Sequence, residues 1–186
     1  AICALFPGTK LAYGPPVEDG FFYDLDSPTP ISADDLPKIE EKMQEIVKAD
    51  RPFARQELSR TDAQAKYQAD VYKLDNIQRA DGDVISFYRQ GEFEDLCRGP
   101  PVPSTGRIRA FKLLAVTGAY FKGDAKNQML QRIYGIAFFQ KKDLDAFLKT
   151  REEAEKRDHR RIGVDLDLFS IHPDTIGGGL IHWHPK

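Results

Sequence analysis

Histidine is what this chain most lacks. All four imidazoles, His159, His172, His182 and His184, fall in the last 28 residues, so residues 1 to 158 contain none. Serine–histidine and cysteine–histidine nucleophilic catalysis are thereby excluded within that stretch unless a residue arrives from outside it. Cysteine is scarce too. Cys3 and Cys97 lie far apart without a disulfide-type spacing, which argues against a stapled secreted framework and leaves two of the four nitrogen or sulfur ligands that a structural zinc site needs. No apolar run approaches the roughly 18 residues of a membrane-spanning helix. No basic region followed by an apolar one opens the chain. The expectation is a soluble, cytoplasmic protein with free thiols and no metal of its own.

The net charge of −2 conceals an uneven distribution. Residues 1–97 carry 11 Lys/Arg against 19 Asp/Glu, residues 98–132 carry 7 against 1, and residues 133–186 carry 9 of each. The basic window has two readings, a solvated face or a surface for phosphates.

Along the chain, Ala1 to Phe6 reads as the last turns of a helix that begins upstream, so the sequence is expected to be a segment of something longer. Leu11–Tyr13 and the aromatic run Gly20–Leu25 read as strands, the latter ending in the polar Tyr23 and Asp24. Leu36, Ile39, Met43, Ile46 and Val47 form one stripe of an amphipathic helix over 34–50, capped by Ser32 or, preferably, Asp34, with Pro37 in its first turn. Residues 53–58 suggest a strand, and Ser59–Asp62 caps a short helix to about residue 69. Val71–Leu74 leads into a loop. Val84–Tyr88 and Phe93–Cys97 pair as a hairpin; residues 111–117, 118–122 and 131–138 supply further strands. Residues 144–162 carry a thin apolar stripe among many charges, the pattern of a solvated connecting helix. Short strands with a few helices, not in strict alternation, give an α+β class, mainly antiparallel sheets with helices forming a cleft.

With imidazole absent, the chemistry-bearing residues of the first part are Tyr23, Asp24, Lys73, Asp95 and Cys97, all near turns or strand ends. Each has a plain alternative. Lys73 and Asp95 could be solvated charges, Cys97 a small buried hydrophobe and Tyr23 a core aromatic. His182 and His184, at i and i+2 on a strand, share a face where a metal is weighed against simple packing.

Several stretches together resemble the bacterial-type threonyl-tRNA synthetases: Phe6-Pro7-Gly8-Thr9-Lys10, Gly20-Phe21-Phe22-Tyr23-Asp24, Asp95-Leu96-Cys97-Arg98-Gly99-Pro100, Phe111-Lys112-Leu113, Gly118–Asp124, Met129–Gly135 and Arg157-Asp158-His159-Arg160. In family order they run from the second amino-terminal (editing) domain to the entrance of the class II catalytic domain. The resemblance implies an editing domain over 1–139, a linker helix over 140–163 and the start of a catalytic domain over 164–186. It further implies that the parent protein joins threonine to tRNA with ATP, and that this segment hydrolyses seryl-tRNA made in error. A site that accepts threonine rejects serine by the worth of about one methyl group, roughly 1–3 kcal/mol, so a second sieve is needed.

On this resemblance, Lys73, Asp95 and Cys97 fall on catalytic positions and Tyr23 and Asp24 on substrate-binding ones. Arg98, Arg107, Arg109, Lys112, Tyr120, Lys122 and Arg132 would approach the acceptor end of threonine tRNA, with Tyr120 and Phe121 available for stacking. ATP, magnesium and zinc are expected only in the catalytic domain beyond this segment, through which the parent would form a homodimer. Two departures stand out. The family's HxxxH helix would lie upstream of Ala1, and Pro101 stands where the family's CxxxH motif has its histidine. Proline offers neither a titratable nitrogen nor an N–H, so editing is expected to be impaired, and a non-catalytic tRNA-binding or spacer module is the alternative.

Overall fold

A computed structural model of the chain describes residues 1–18, 20–171 and 181–185, so His172 and the glycine run at 177–179 lie outside the described residues. The chain divides into two compact units, residues 1–141 and 142–186.

The first unit contains helices α1 (Ile2–Leu5), α2 (Leu36–Lys48), α3 (Arg60–Lys66) and α4 (Val71–Arg79). Its strands are β1 (Lys10–Tyr13), β2 (Pro16–Val17), β3 (Gly20–Asp26), β4 (Ala54–Ser59), β5 (Val84–Gln90), β6 (Phe93–Leu96), β7 (Ala110–Tyr120) and β8 (Met129–Phe138). They form two antiparallel sheets. One runs β1-β3-β8-β7 with β2 also on β3; the other runs β4-β5-β6. The class is α+β, as the pattern of elements indicates.

Three apolar clusters explain the layering. Leu36 and Ile39 of α2 pack with Leu25, Leu113 and Ile133 on one face of the large sheet. Ala63 of α3 and Ile77 of α4 pack with Ile85 and Phe87 of the small sheet. Tyr72 of α4 meets Ala12 and Leu130 of the large sheet, with Phe121 against its edge. Helix α4 therefore touches both sheets. Two polar ties reinforce this: Tyr72 Oη donates to Asp26 Oδ2 at 2.8 Å, and Asn76 Nδ2 donates to the Ala12 carbonyl at 2.7 Å.

The structure corrects several sequence readings. Residues 71–79 form a helix instead of a loop, capped by Asp70, whose Oδ1 accepts from the Tyr72 and Lys73 N–H groups at 3.1 and 3.2 Å. Its buried residues face two sheets at once, so they do not fall on one stripe. The helix at 34–50 begins at Leu36, with Asp35 at its N-cap position, after a 3₁₀ turn over Ala33–Asp35 whose own N-cap is Ser32; Asp35 Oδ2 takes both the N–H and the hydroxyl of Ser32 at 2.9 Å. The two strands expected over 111–117 and 118–122 are one, β7, with an irregularity between Leu113 and Ala115.

In the second unit the single helix expected over 144–162 is two, α5 (Lys141–Lys156) and α6 (His159–Asp165). Asp158 divides them by accepting the Arg160 N–H at 2.9 Å, a local cap that competes with helix continuation. Strands β9 (Phe169–Ile171) and β10 (Ile181–Trp183) then pair antiparallel. Among the described residues, no helix is long and apolar enough to cross a membrane.

Candidate functional site

Three of the expected residues meet in one hydrogen-bonded group. Lys73 projects from α4, Asp95 from β6 and Tyr23 from β3. Lys73 Nζ donates to Asp95 Oδ1, Tyr23 Oη donates to Asp95 Oδ2 at 2.8 Å, and the Leu96 N–H donates to Asp95 Oδ1 at 2.6 Å. The lysine and aspartate side chains are only 8% and 14% exposed. An ammonium so nearly buried is tolerable because a carboxylate faces it directly. Burial, and then the neighbouring Asp95 charge, push the Tyr23 phenol far above its ordinary value, so Tyr23 is a fixed donor at neutral pH. Gly14 makes room for it, since a Cβ there would overlap the Tyr23 ring.

The group sits where three elements converge, and α4 is the element that matters. It carries Tyr72 toward the large sheet, Ile77 toward the small one, and Lys73 between them to the carboxylate that Tyr23 also holds.

Cys97 follows β6 directly. Its N–H donates to the Ser86 carbonyl at 3.2 Å, its carbonyl accepts from Ser86 Oγ at 2.5 Å, and its Sγ accepts the Gly99 N–H at 3.3 Å. The thiol is exposed, which sets aside the reading of a buried hydrophobe. It is close enough to Tyr23 to act on the phenol electrostatically. Gly99 is required here: its φ is +65°, and a Cβ would overlap Tyr88 Oη. The bond from Gly99 to Pro100 is cis, and Pro101 is half-buried in the same turn.

Sequence reasoning passed over Cys3 as a site residue. Burial raises its thiol above the ordinary range, and Asp95 and Lys73 both act on it, so the half-buried Cys3 of α1 belongs to the same neighbourhood. The available signal was its place on a helical turn preceding the strand that carries Tyr23.

Asp24 does not join the group. Adjacent strand residues point to opposite faces, and Asp24 is bound bidentately by Arg132 of β8, with Nε to Oδ1 at 2.6 Å and Nη2 to Oδ2 at 2.8 Å. The guanidinium also lies 3.9 Å above the Phe22 ring, and hydrogen bonding to Asp24 raises its pKa further. Asp24 is 5% exposed. The expected substrate ligand and one expected tRNA contact therefore neutralise each other.

The same applies to much of the basic window. Arg98 pairs with Asp81 at 3.1 Å, Lys112 with Glu40 at 2.8 Å and Lys122 with Asp75 at 2.6 Å. The excess cations of 98–132 thus face the excess carboxylates of the first half of the chain, which explains the uneven charge. Among the described residues Arg107, Arg109 and Lys126 form no ion pair, and Tyr120 is exposed at the end of β7. Phe121 packs edge-on against Tyr72, with ring centroids 5.1 Å apart, so it is already engaged. No group of three or more His, Cys, Asp or Glu side chains arranged to hold a metal ion occurs among the described residues.

Residues 85–134 match the family described as the threonyl and alanyl tRNA synthetase second additional domain, a window that contains Asp95, Cys97 and Arg132. Over its full 186 residues the chain is 52% identical to a threonine–tRNA ligase of Rubrobacter xylanophilus, and it is 53% identical over 183 residues, 98% of the chain, to one of Streptococcus agalactiae. It spans 29% and 28% of the length of these two curated relatives. The chain is therefore similar over its whole length to one part of these threonine–tRNA ligases, and its residues 85–134 are similar to the second additional domain described for threonyl and alanyl tRNA synthetases.

Proposed function

We propose that this segment is an editing-type domain that binds the acceptor end of tRNA and hydrolyses seryl esters attached to it in error, with a rate limited by Pro101. The observation that carries the reading is the buried Lys73–Asp95–Tyr23 group. Ester hydrolysis needs a water held against the carbonyl carbon and donors for the oxygen as it becomes negative. Asp95 and Tyr23 fix the Lys73 ammonium, which has three N–H donors and gives one to Asp95. Its remaining donors are suited to orienting that water or the carbonyl oxygen. Water adds to the carbonyl carbon, the bond to the ribose oxygen breaks, and that oxygen takes up a proton. Within residues 1–158 the proton acceptor is the weak part of the site, because that stretch offers no imidazole and both Asp95 oxygens already receive hydrogen bonds.

The second reading, a tRNA-binding or spacer module with a degenerate site, is favoured by Pro101. One experiment separates the two. Seryl-tRNA is incubated with the whole protein and with its Lys73→Ala and Pro101→His versions. Hydrolysis that Lys73→Ala abolishes supports editing; no hydrolysis until Pro101→His restores it supports the degenerate site.

On the same reading, residues 1–139 are the editing part, 140–163 a linker and 164–186 the entrance to a catalytic domain. The parent is then a cytoplasmic, homodimeric enzyme that ligates threonine to tRNA with ATP, its magnesium and zinc held outside this segment. Arg98, Arg107, Arg109, Lys112, Tyr120, Lys122 and Arg132 are the proposed tRNA-facing residues. Of these, Arg107 and Arg109 require no internal ion pair to open.

A further inference from the structure

The carboxy-terminal unit places a carboxylate, an imidazole and a hydroxyl in one hydrogen-bonded line. His184 Nδ1 lies 2.7 Å from Asp167 Oδ1, and His184 Nε2 lies 3.0 Å from Ser170 Oγ. An ionised carboxylate only accepts, so Nδ1 carries the proton of the neutral ring and Nε2 keeps the lone pair. The Ser170 hydroxyl, 3.0 Å from Nε2, is within reach to donate its hydrogen to that lone pair. That polarity turns a serine into a nucleophile: the carboxylate orients the ring, and the ring stands ready to take the hydroxyl proton.

Local structure holds each member. Ser170 stands opposite His182 in the β9–β10 ladder, so the side chains of 170, 182 and 184 share a face. The His184 N–H donates to the Leu168 carbonyl at 3.0 Å and extends the ladder by one rung. Asp167 follows the C-cap of α6 with φ +54°, in a turn closed by Leu168 N–H to Gly163 O at 2.7 Å and Asp167 N–H to Val164 O at 3.0 Å. Glycine is the usual occupant of that left-handed position. What the aspartate supplies instead is a carboxylate facing His184.

We propose that Ser170 is an activated hydroxyl able to accept an acyl group from an activated ester, with His184 as its base and Asp167 positioning the base. Ser170 Oγ adds to the ester carbonyl carbon and forms an O–C bond while the bond to the alcohol oxygen breaks. The Oγ proton passes to His184 Nε2 and then to the departing oxygen, leaving acyl-Ser170 and a free alcohol. The Asp167 side chain is 85% exposed, so water screens its charge and the activation falls at the low end of what a positioned base provides.

A fluorophosphonate tests this on the full chain, since loss of fluoride as an Oγ–P bond forms leaves a permanent mark that peptide mass spectrometry locates. Ser104, whose hydroxyl donates to the Asp50 carboxylate, serves as the internal reference. Ser170 is expected to be labelled at least about tenfold faster than Ser104, and His184→Asn and Asp167→Asn are expected to remove most of that advantage. Labelling of Ser170 at the rate of Ser104 overturns the proposal without any variant, and so does a rate that His184→Asn leaves unchanged in a folded protein. Should the variants not fold, the ratio within the unaltered protein decides.

Discussion

Replacing Lys73 with methionine removes an ammonium that is 8% exposed and leaves the 14% exposed Asp95 carboxylate with only Tyr23 Oη and the Leu96 N–H as donors. Two opposing terms set the size of the effect. The direct attraction of such a pair is about 4 kcal/mol at an effective dielectric near 20, and the desolvation of both charges offsets much of it. Breaking a buried pair from one side nevertheless costs about 3–5 kcal/mol, because the remaining charge is stranded. The residual access of water to Asp95 trims this to about 3 kcal/mol. For a domain of this size that is a fall of about 9 °C in melting temperature.

Urea denaturation followed by circular dichroism at pH 7 measures it, and a double-mutant cycle isolates the pair. Lys73→Met and Asp95→Leu should each destabilise, and the double variant should recover about 2 kcal/mol or more of their sum. The Arg98–Asp81 pair, 84% and 91% exposed, is the control; solvent screening should hold its coupling below about 0.5 kcal/mol. A Lys73–Asp95 coupling as small as that of Arg98–Asp81 would refute the argument that burial makes this pair different.

Other expectations follow from the same contacts. The Arg60 guanidinium donates to the carbonyls of Ile77, Gln78, Ala80 and Gly82 and so closes the end of α4; Arg60→Met should cost about 2–3 kcal/mol and speed amide exchange in that turn. Burial favours the protonated form of Glu94, but hydrogen bonds from Lys66 and Tyr67 outweigh it and hold the carboxyl below its ordinary value. The stability this adds is present above a carboxylate's usual pKa of about 4.3 and is lost as pH falls through the lower folded value. The stability gap between wild type and Glu94→Gln should therefore be full at pH 7 and narrow below about pH 4. Finally, tRNA binding by the whole protein should weaken steeply with salt, and Arg109→Ala should reduce the log–log slope by about 1; an unchanged slope removes Arg109 from the interface.

The Lys73 group shows how far the sequence alone reaches. Composition excluded histidine chemistry from the first 158 residues, and local patterns placed α2, β3 and the β5–β6 hairpin within a residue or two, because each carries one regular apolar periodicity or a clear turn. Family-like motifs singled out Tyr23, Lys73 and Asp95. Helix α4 escaped because its buried side chains serve two sheets, so no single stripe marks it, and Asp158 escaped because a cap inside a charged helix resembles any other charge.

What only the tertiary structure decided is pairing. Tyr23 and Asp24 are neighbours in sequence, yet strand alternation sends one to Asp95 and the other to Arg132. The basic window looks like a bare cationic surface until Glu40, Asp75 and Asp24 arrive from 47 to 108 residues away to neutralise much of it. The sequence by itself determined which charges and hydroxyls the chain owns and which segments bury an apolar face. Which charge meets which partner depends on strand register and on the packing of α4, and those contacts span separations that no local pattern encodes.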